Sequence, residues 1–167
     1  MAVCPILQWP DKRLRTAAAP VDAITDDIRA IWADMVDTMD AMPGQGVGLA
    51  APQIGVVLQL AVVDVTPDRS RRILFANPSV LSASEELHAS DEASPCLPGV
   101  SAKVKRPKHA TIRFLNDQGM VDRRDFQDLE ARSILHQIDH LAGRMYFDAL
   151  GRVKRDMLLR KAAKQRG

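Results

Sequence analysis

Two histidines placed four residues apart constrain the fold of this 167-residue chain more than any other feature. They lie in the run Leu135-His136-Gln137-Ile138-Asp139-His140-Leu141, and a helix would bring both imidazoles to one face, where they can bind one metal ion. In zinc helices of the pattern H-E-x-x-H, the second position is a glutamate that takes a proton from metal-bound water. Here that position is Gln137, whose amide cannot act as a base. The run therefore predicts a metal-binding helix without its general base, although histidines at this spacing also arise by chance in helices that bind no metal.

The periodicity of apolar residues predicts an α+β fold. Helices are expected over residues 25–42, with Thr25 as the N-cap, over about 128–142 and over about 152–164. Segments rich in branched residues predict strands at 56–65, 72–76, 100–106, 109–116 and 120–126. Because helices and strands follow one another in separate blocks, we expect the histidine helix to pack against antiparallel strands. At this length, residues 1–167 are expected to form one domain.

The last predicted helix is strongly basic. Residues 152–167 contain seven Lys and Arg side chains and a single acidic one, whereas the whole chain has a formal net charge of only +2. Such a helix can simply present a solvated basic face, or it can contact an anionic surface such as RNA.

Cysteine content and hydropathy indicate the cellular compartment. Cys4 and Cys96 provide no disulfide framework, and the first residues lack the charged and apolar regions of a secretory leader. No apolar stretch approaches the length of a transmembrane helix. We therefore expect a soluble, cytoplasmic protein with neither a membrane nor DNA as a partner.

Two further segments carry possible chemistry. Residues 44–55 are rich in glycine, which suits either a tight turn between helix and strand or a backbone that approaches a bound peptide, with Gln53 offering its amide near the metal. A phosphate-binding loop is not favoured, because no Lys-Ser or Lys-Thr pair follows. Residues 92–99 read E-A-S-P-C-L-P-G, which by itself describes a proline-rich loop holding a buried free thiol.

Taken together, the three segments resemble the peptide deformylases, in order and spacing and over nearly the whole chain. That family combines the motifs G-x-G-L-A-A-x-Q, E-G-C-L-S and H-E-x-D-H-L. Residues 46–53 match the first motif at every fixed position, and His136, Asp139, His140 and Leu141 match the third. The resemblance implies the fold of that family, a divalent metal held by two histidines and a cysteine, and removal of the formyl group from the starting methionine of nascent chains. It implies Fe²⁺ as the metal, with Zn²⁺ or Ni²⁺ as alternatives.

The resemblance also assigns roles to single residues. His136 and His140 would be metal ligands, and Gln137 occupies the position of the family's catalytic glutamate. Gln53 would form a hydrogen bond near the metal-bound water. Substrate would be positioned by the backbone of the first motif, and the implied substrate-binding residues are Val47, Gly48 and Leu97.

The middle motif is where this sequence departs from the family. A gapless alignment on E-G-C-L-S-x-P-G places Glu92 on the glutamate, Ser94 on the metal-binding cysteine and Pro95 on the leucine. The competing alignment places Cys96 on that cysteine but loses Glu92, so we prefer the gapless one. The third metal ligand is then Ser94, or else Cys96, because residues i and i+2 of an extended segment face the same side.

Three catalytic parts are altered in the gapless alignment. Ser94 replaces a thiolate ligand by a neutral hydroxyl, Gln137 removes a base worth ~10²–10⁴ in rate, and Pro95 lacks the backbone N–H that would stabilise an oxyanion. We therefore expect a peptide-deformylase-like protein with weak or absent activity and reduced metal affinity.

Three alternatives remain open at this level. The first is a non-catalytic protein that binds formylated or other peptide N-termini, since residues 46–53 are intact. The second is a hydrolase of another small amide that uses Cys96 as a shifted ligand. The third adds a contact with the ribosome through the basic C-terminal helix, residues 152–167, since members of the family use their C-terminal ends at the ribosome surface.

Overall fold

A computed structural model describes residues 2–166 and confirms the predicted α+β class. This part of the chain forms three α-helices, seven β-strands and three short 3₁₀ helices. The α-helices are α1 (Asp26–Asp40), α2 (Asp128–Leu141) and α3 (Arg152–Arg166). The strands are β1 (Gly48–Ala50), β2 (Leu60–Val63), β3 (Ile73–Ala83), β4 (Leu87–Ser94), β5 (Leu97–Pro107), β6 (His109–Leu115) and β7 (Val121–Gln127). The 3₁₀ helices span Lys12–Arg15, Ala51–Ile54 and Tyr146–Ala149.

The strands form two antiparallel sheets. One sheet has five strands in the order β1-β2-β3-β6-β7, and the other is the β4-β5 hairpin. This order places β1 at the edge of the larger sheet, where one side of its backbone has no neighbouring strand in the part of the chain that the structure describes.

The histidine helix α2 packs on the larger sheet, as predicted. Along β6, inward-facing residues alternate with outward-facing ones, because successive side chains of a strand point to opposite faces. The inward residues meet the apolar face of α2, so that Ile112 and Phe114 share one buried cluster with Ala131 and Ile134. This packing fixes which face of α2 remains for the two histidines.

Helix α1 follows from its local sequence. The Thr25 side chain accepts a hydrogen bond from the Ile28 N–H at 3.3 Å, which confirms the predicted N-cap. Trp32, Met35 and Met39 are buried along one face. The helix ends at Asp40 rather than at residue 42, and the chain then turns through Gly44 at a φ of +75°.

Tertiary contacts change two of the predicted strands. The strand expected at 56–65 is wrong in its first half, because residues 57–59 bond to the backbone of Ala19 instead of continuing in the sheet. The strand expected at 72–76 continues to residue 83 past an Asn-Pro step, a local signal for a turn. Asn77 allows this by bonding both the N–H and the carbonyl oxygen of Val21 at 2.8 Å.

Two strands, β1 and β4, were not predicted at all. Strand β1 is only three residues long, and β4 reads L-H-A-S-D-E-A-S, which is too polar to show a strand pattern. Both strands exist because a partner strand pairs with them, which is a nonlocal property.

Helix α3 confirms the predicted C-terminal helix. Leu158 and Ala162 are its buried residues and pack with β5, while most of its basic side chains are exposed. Across residues 2–166, no helix is long and apolar enough to cross a bilayer.

Candidate functional site

The three sequence segments converge around one cavity of about 800 Å³. Its walls come from the Gly46–Gly48 backbone, from the end of β4 at residues 92–95 and from one face of α2. The N-terminal segment closes one side of the cavity through Val3, Cys4, Ile6 and Gln8. The α2 residues that line the cavity are Leu129, Arg132, Ser133, His136 and Gln137.

The two histidines lie side by side on α2, as their spacing predicts. Their ring centroids are 5.0 Å apart. His136 borders the cavity, whereas His140 is 1% exposed, and neither of its ring nitrogens has a hydrogen-bond partner among residues 2–166. Burial, together with the nearby His136 and Arg106, lowers the pKa of His140 well below its ordinary value. His140 is therefore a neutral imidazole, which is the form that binds metals.

Glu92 is the centre of a buried ion network beside His136. Its carboxylate accepts hydrogen bonds from Arg106 Nε at 2.6 Å and Nη2 at 2.9 Å, from Arg132 Nη1, and from His136 Nδ1 at 2.8 Å. Burial alone would raise the pKa of Glu92, but the hydrogen bonds from His136 and Arg106 outweigh it and lower the pKa to about 2. Arg106 also donates to Asp139 at 2.9 Å, so its single positive charge lies between two carboxylates.

This network selects the tautomer of His136. An ionised carboxylate can only accept, so Nδ1 of His136 must carry a proton, and in the neutral imidazole the free lone pair is then on Nε2. A carboxylate that holds a histidine in this way also orients the ring. Glu92 is thus part of the site, although the sequence had identified it only as an alignment anchor.

Ser94 and Cys96 point to different places, because the segment between them is a turn. Strand β4 ends at Ser94 and β5 begins at Leu97, and the Cys96 N–H donates to Ser94 Oγ at 3.3 Å. The extended conformation expected here is therefore wrong, since Pro95 and Cys96 form the tip of a tight hairpin. Ser94 lines the cavity, whereas Cys96 is fully buried.

Cys96 is held in the core behind the cavity. It packs in one cluster with Leu14 and Tyr146, and its Sγ accepts a hydrogen bond from Gln53 Nε2 at 3.4 Å. Burial raises the pKa of the Cys96 thiol, so the thiolate that a metal would need is disfavoured.

The other predicted site residues fall into two groups. Val47, Gly48 and Gln53 line the cavity, and Gln53 is held by Cys96 and by the Ala50 N–H, which donates to its Oε1 at 2.9 Å. Leu97, in contrast, is fully buried in the core cluster and does not line the cavity.

Gln137 packs against the backbone of Gly48. A Cβ atom on Gly48 would lie 2.6 Å from Gln137 Nε2 and 2.7 Å from Ser133 Oγ. Only glycine leaves room for this approach. Gln137 Oε1 is buried and has no hydrogen-bond partner within the described residues, and the amide carries no group that can take a proton.

The donor set does not fit a tightly held metal ion. Neither ring nitrogen of His140 has a hydrogen-bond partner, but in residues 2–166 no three His, Cys, Asp or Glu side chains meet in a metal-binding arrangement. Ser94, which lines the same cavity as His136, offers only a hydroxyl, a weak ligand for divalent transition metals.

Sequence reasoning missed Arg106 and Arg132, which neutralise Glu92. Arg132 lies 40 positions after Glu92, so no local spacing reveals the pair. A usable signal existed for Arg106, since it follows Val100 and Val104 on the buried face of β5. A charged residue at an inward strand position predicts a buried ionic partner.

Comparisons with known proteins agree with the geometry. Residues 3–156 match the family model described as Polypeptide deformylase. The peptide deformylase of Acinetobacter baumannii (strain SDF) is 39% identical over 164 residues, covering 98% of this chain and 92% of the relative. That of Cellvibrio japonicus (strain Ueda107) is 39% identical over 165 residues, covering 99% and 96%.

Solved structures show the same relationship. The crystal structure of a peptide deformylase from Legionella pneumophila superposes with a TM-score of 0.92 at 36% identity and covers 99% of this chain and 96% of that chain. The structure of the peptide deformylase from Ehrlichia chaffeensis in complex with actinonin has a TM-score of 0.92 at 31% identity, with 99% and 98% covered. The resemblance noted in the sequence is thereby confirmed, and this chain belongs to the peptide deformylase family.

Proposed function

We propose that this protein binds the N-terminal end of a peptide in the cavity beside α2, and that its removal of the formyl group is weak or absent. The family removes N-formyl groups from nascent peptides. The proposal rests on one observation. The cavity is formed, but the positions aligned with the family's cysteine ligand, oxyanion donor and catalytic glutamate are occupied by Ser94, Pro95 and Gln137.

The edge strand supports peptide binding. One side of the β1 backbone is free of strand partners in the described chain, and Gly48 of β1 lines the cavity. An extended peptide can add to such an edge through main-chain hydrogen bonds. The related Ehrlichia chaffeensis structure is a complex with the inhibitor actinonin.

Exposed apolar side chains at the cavity favour an apolar ligand residue. Val47 is 39% exposed and Leu129 is 51% exposed, and both line the cavity together with Met42. A bound side chain would cover them and gain roughly 25 cal/mol per Å² of apolar surface. Methionine is the residue that the family reaction implies.

The reactive centre lacks what formyl hydrolysis requires. Loss of the base at Gln137 removes ~10²–10⁴ in rate, and loss of an oxyanion donor at Pro95 removes a further ~10²–10³. The family is metal-dependent, and a bound ion would polarise the formyl carbonyl. Here we propose weak binding of Fe²⁺, Zn²⁺ or Ni²⁺ by His136 and His140, with Ser94 in the third position.

The alternative of a shifted ligand set has no support in the contacts of Cys96. A hydrolase of another small amide that used Cys96 would have to break the Gln53 bond and withdraw the thiol from the core. Ser94 is therefore the better candidate for the third position.

An anaerobic assay with formyl-Met-Ala-Ser tests the proposal. The protein is loaded with Fe²⁺, Ni²⁺ or Zn²⁺, and His136→Ala is the control. Titration calorimetry with the same peptide measures binding in parallel. We expect heat of binding with little or no turnover. Family-like turnover that His136→Ala abolishes would show a working hydrolase, and no binding at millimolar peptide would refute the proposal.

We further propose that α3 contacts the ribosome and that the protein acts in the cytoplasm as one domain. The support is the exposed basic surface of α3, where Arg160, Lys161 and Lys164 are exposed. Contacts to RNA phosphates weaken as salt rises. Co-sedimentation with ribosomes should therefore be sensitive to salt and should disappear on truncation after Gly151, and unchanged sedimentation of the truncated protein would refute the contact.

A further inference from the structure

We propose that Arg69 is a positioning residue that sets the peptide-binding edge from outside the cavity. Arg69 lies on the loop after β2, and its guanidinium fixes the backbone of Gly46, two residues before the edge strand β1. The inference rests on the proposed peptide binding and adds to it a residue that no motif singles out.

The guanidinium of Arg69 connects three parts of the fold. Nη2 donates to the carbonyl oxygen of Gly46 at 2.7 Å, and Nη1 donates to the carbonyl oxygen of Asp64 at 2.9 Å. Nε forms an ion pair with Asp40 Oδ1 at 3.3 Å. The Arg69 side chain, which is 14% exposed, thus connects the end of α1 and the end of β2 to residues 45–48, which form the rim of the cavity.

The rim needs this support because the backbone between α1 and the rim has an irregular conformation. Gly44 and Gln45 have φ values of +75° and +58°, and the Gly46 N–H bonds back to the carbonyl oxygen of Met39 at 3.3 Å. The next carbonyl, that of Val47, accepts the Asp64 N–H at 2.9 Å. The hydrogen bond from Arg69 therefore holds Gly46, the residue just before the chain begins regular pairing with β2.

Hydrogen bonds within the loop that carries Arg69 hold this residue in position. Arg69 has a φ of +58°, an uncommon conformation for a residue with a side chain. Asp64 Oδ1 accepts the Thr66 N–H at 2.9 Å, and the Thr66 hydroxyl accepts the Ser70 N–H at 3.0 Å. Surrounding contacts must support such a backbone, and such positions cluster at functional sites.

Arg72 is a matched control. It binds the same Asp40 carboxylate through the other oxygen, with Nη2 3.0 Å from Oδ2. The Gly46 carbonyl oxygen is bonded by Arg69 instead. Arg72→Ala and Arg69→Ala therefore each remove one ion pair with Asp40, but Arg69→Ala also releases the rim.

The first test is the dissociation constant for formyl-Met-Ala-Ser. Arg69→Ala should weaken binding by at least about tenfold, the scale of one lost charge-assisted hydrogen bond. Arg72→Ala should stay within about twofold. Arg69→Lys should not restore affinity, because an ammonium lacks the fork that reaches two carbonyls. Equal affinities for Arg69→Ala and Arg72→Ala would overturn the inference.

The second test needs no ligand. Amide hydrogen exchange at residues 46–49 should accelerate in Arg69→Ala but not in Arg72→Ala, while exchange in β6 stays unchanged in both. If the wild-type protein binds no peptide, the proposed function fails and exchange still decides whether Arg69 holds the rim. Unchanged exchange at 46–49 in Arg69→Ala would overturn the role of Arg69.

Discussion

Glu92 and His136 are joined by a 2.8 Å contact between a carboxylate oxygen and Nδ1. Glu92 lies near the end of β4 and His136 lies on α2, so this contact ties the β4-β5 hairpin to the histidine helix. It orients the ring, requires a proton on Nδ1 and makes the geometry of the site depend on a buried ion network.

Replacing Glu92 by Gln should be strongly destabilising. The variant would leave Arg106 and Arg132 without their buried counter-charge, and breaking a buried ion pair costs about 3–5 kcal/mol. Denaturant unfolding measures the loss. Glu86→Gln is the control, since Glu86 is 67% exposed and 3.9 Å from Lys108, and it should change stability by less than about 0.5 kcal/mol. Similar losses in both variants would contradict the network.

The stability of the protein should fall in acid because of Glu92. Its pKa is lowered from the ordinary 4.5 to about 2 in the fold, so the stabilisation is complete above pH 4.5 and is lost as the pH falls toward 2. Because protonation of Glu92 is coupled to unfolding, its pKa shift corresponds to a stabilisation on the order of 3 kcal/mol. In unfolding curves from pH 6 to pH 3, the gap between wild type and Glu92→Gln should narrow as pH falls. A constant gap would exclude Glu92 as the cause.

Ser94→Cys should raise the affinity for a divalent metal. Loss of a residue that only supports a ligand changes affinity about 10–100-fold, so a direct thiolate ligand should gain at least that much. With Co²⁺, the variant should show a sulfur-to-cobalt absorption band that Cys96→Ser does not remove. A band that depends on Cys96 would instead make Cys96 the ligand.

Gln137→Glu alone should not restore full deformylase activity. A base is worth ~10²–10⁴ only where the other reacting groups are in place, and Ser94 and Pro95 remain altered. We expect a small gain for the single variant and a much larger one with Ser94→Cys added, measured on formyl-Met-Ala-Ser. Gln118→Glu, in an exposed turn, controls for the added charge. A large gain from Gln137→Glu alone would refute the gapless alignment.

Gly48→Ala should disturb both stability and peptide binding. Its Cβ would lie 2.6 Å from Gln137 Nε2, and overpacking of this kind costs about 1–3 kcal/mol. Gly151→Ala is the control, because nothing lies within 4 Å of its Cβ. Thermal unfolding and peptide titration of both variants check the prediction, and two equal melting temperatures would contradict the close contact.

Local patterns in the sequence were sufficient for much of this fold. The helix bearing His136 and His140, the Thr25 N-cap and the strands of the β6-β7 hairpin all follow from periodicity or capping within a few residues. The joint spacing of three motifs also predicted the family, and the predicted candidates Ser94, Val47 and Gly48 line one cavity.

Only the tertiary structure decided how the site is built. Whether Ser94 or Cys96 faces the cavity depends on a hairpin turn between two strands, one of which has no strand pattern of its own. The partners of Glu92 are 14, 40 and 44 positions away, and Arg69 reaches Gly46 across 23. Helical spacing and caps act over one turn of chain, whereas strand pairing and buried charges act between segments that only folding brings together.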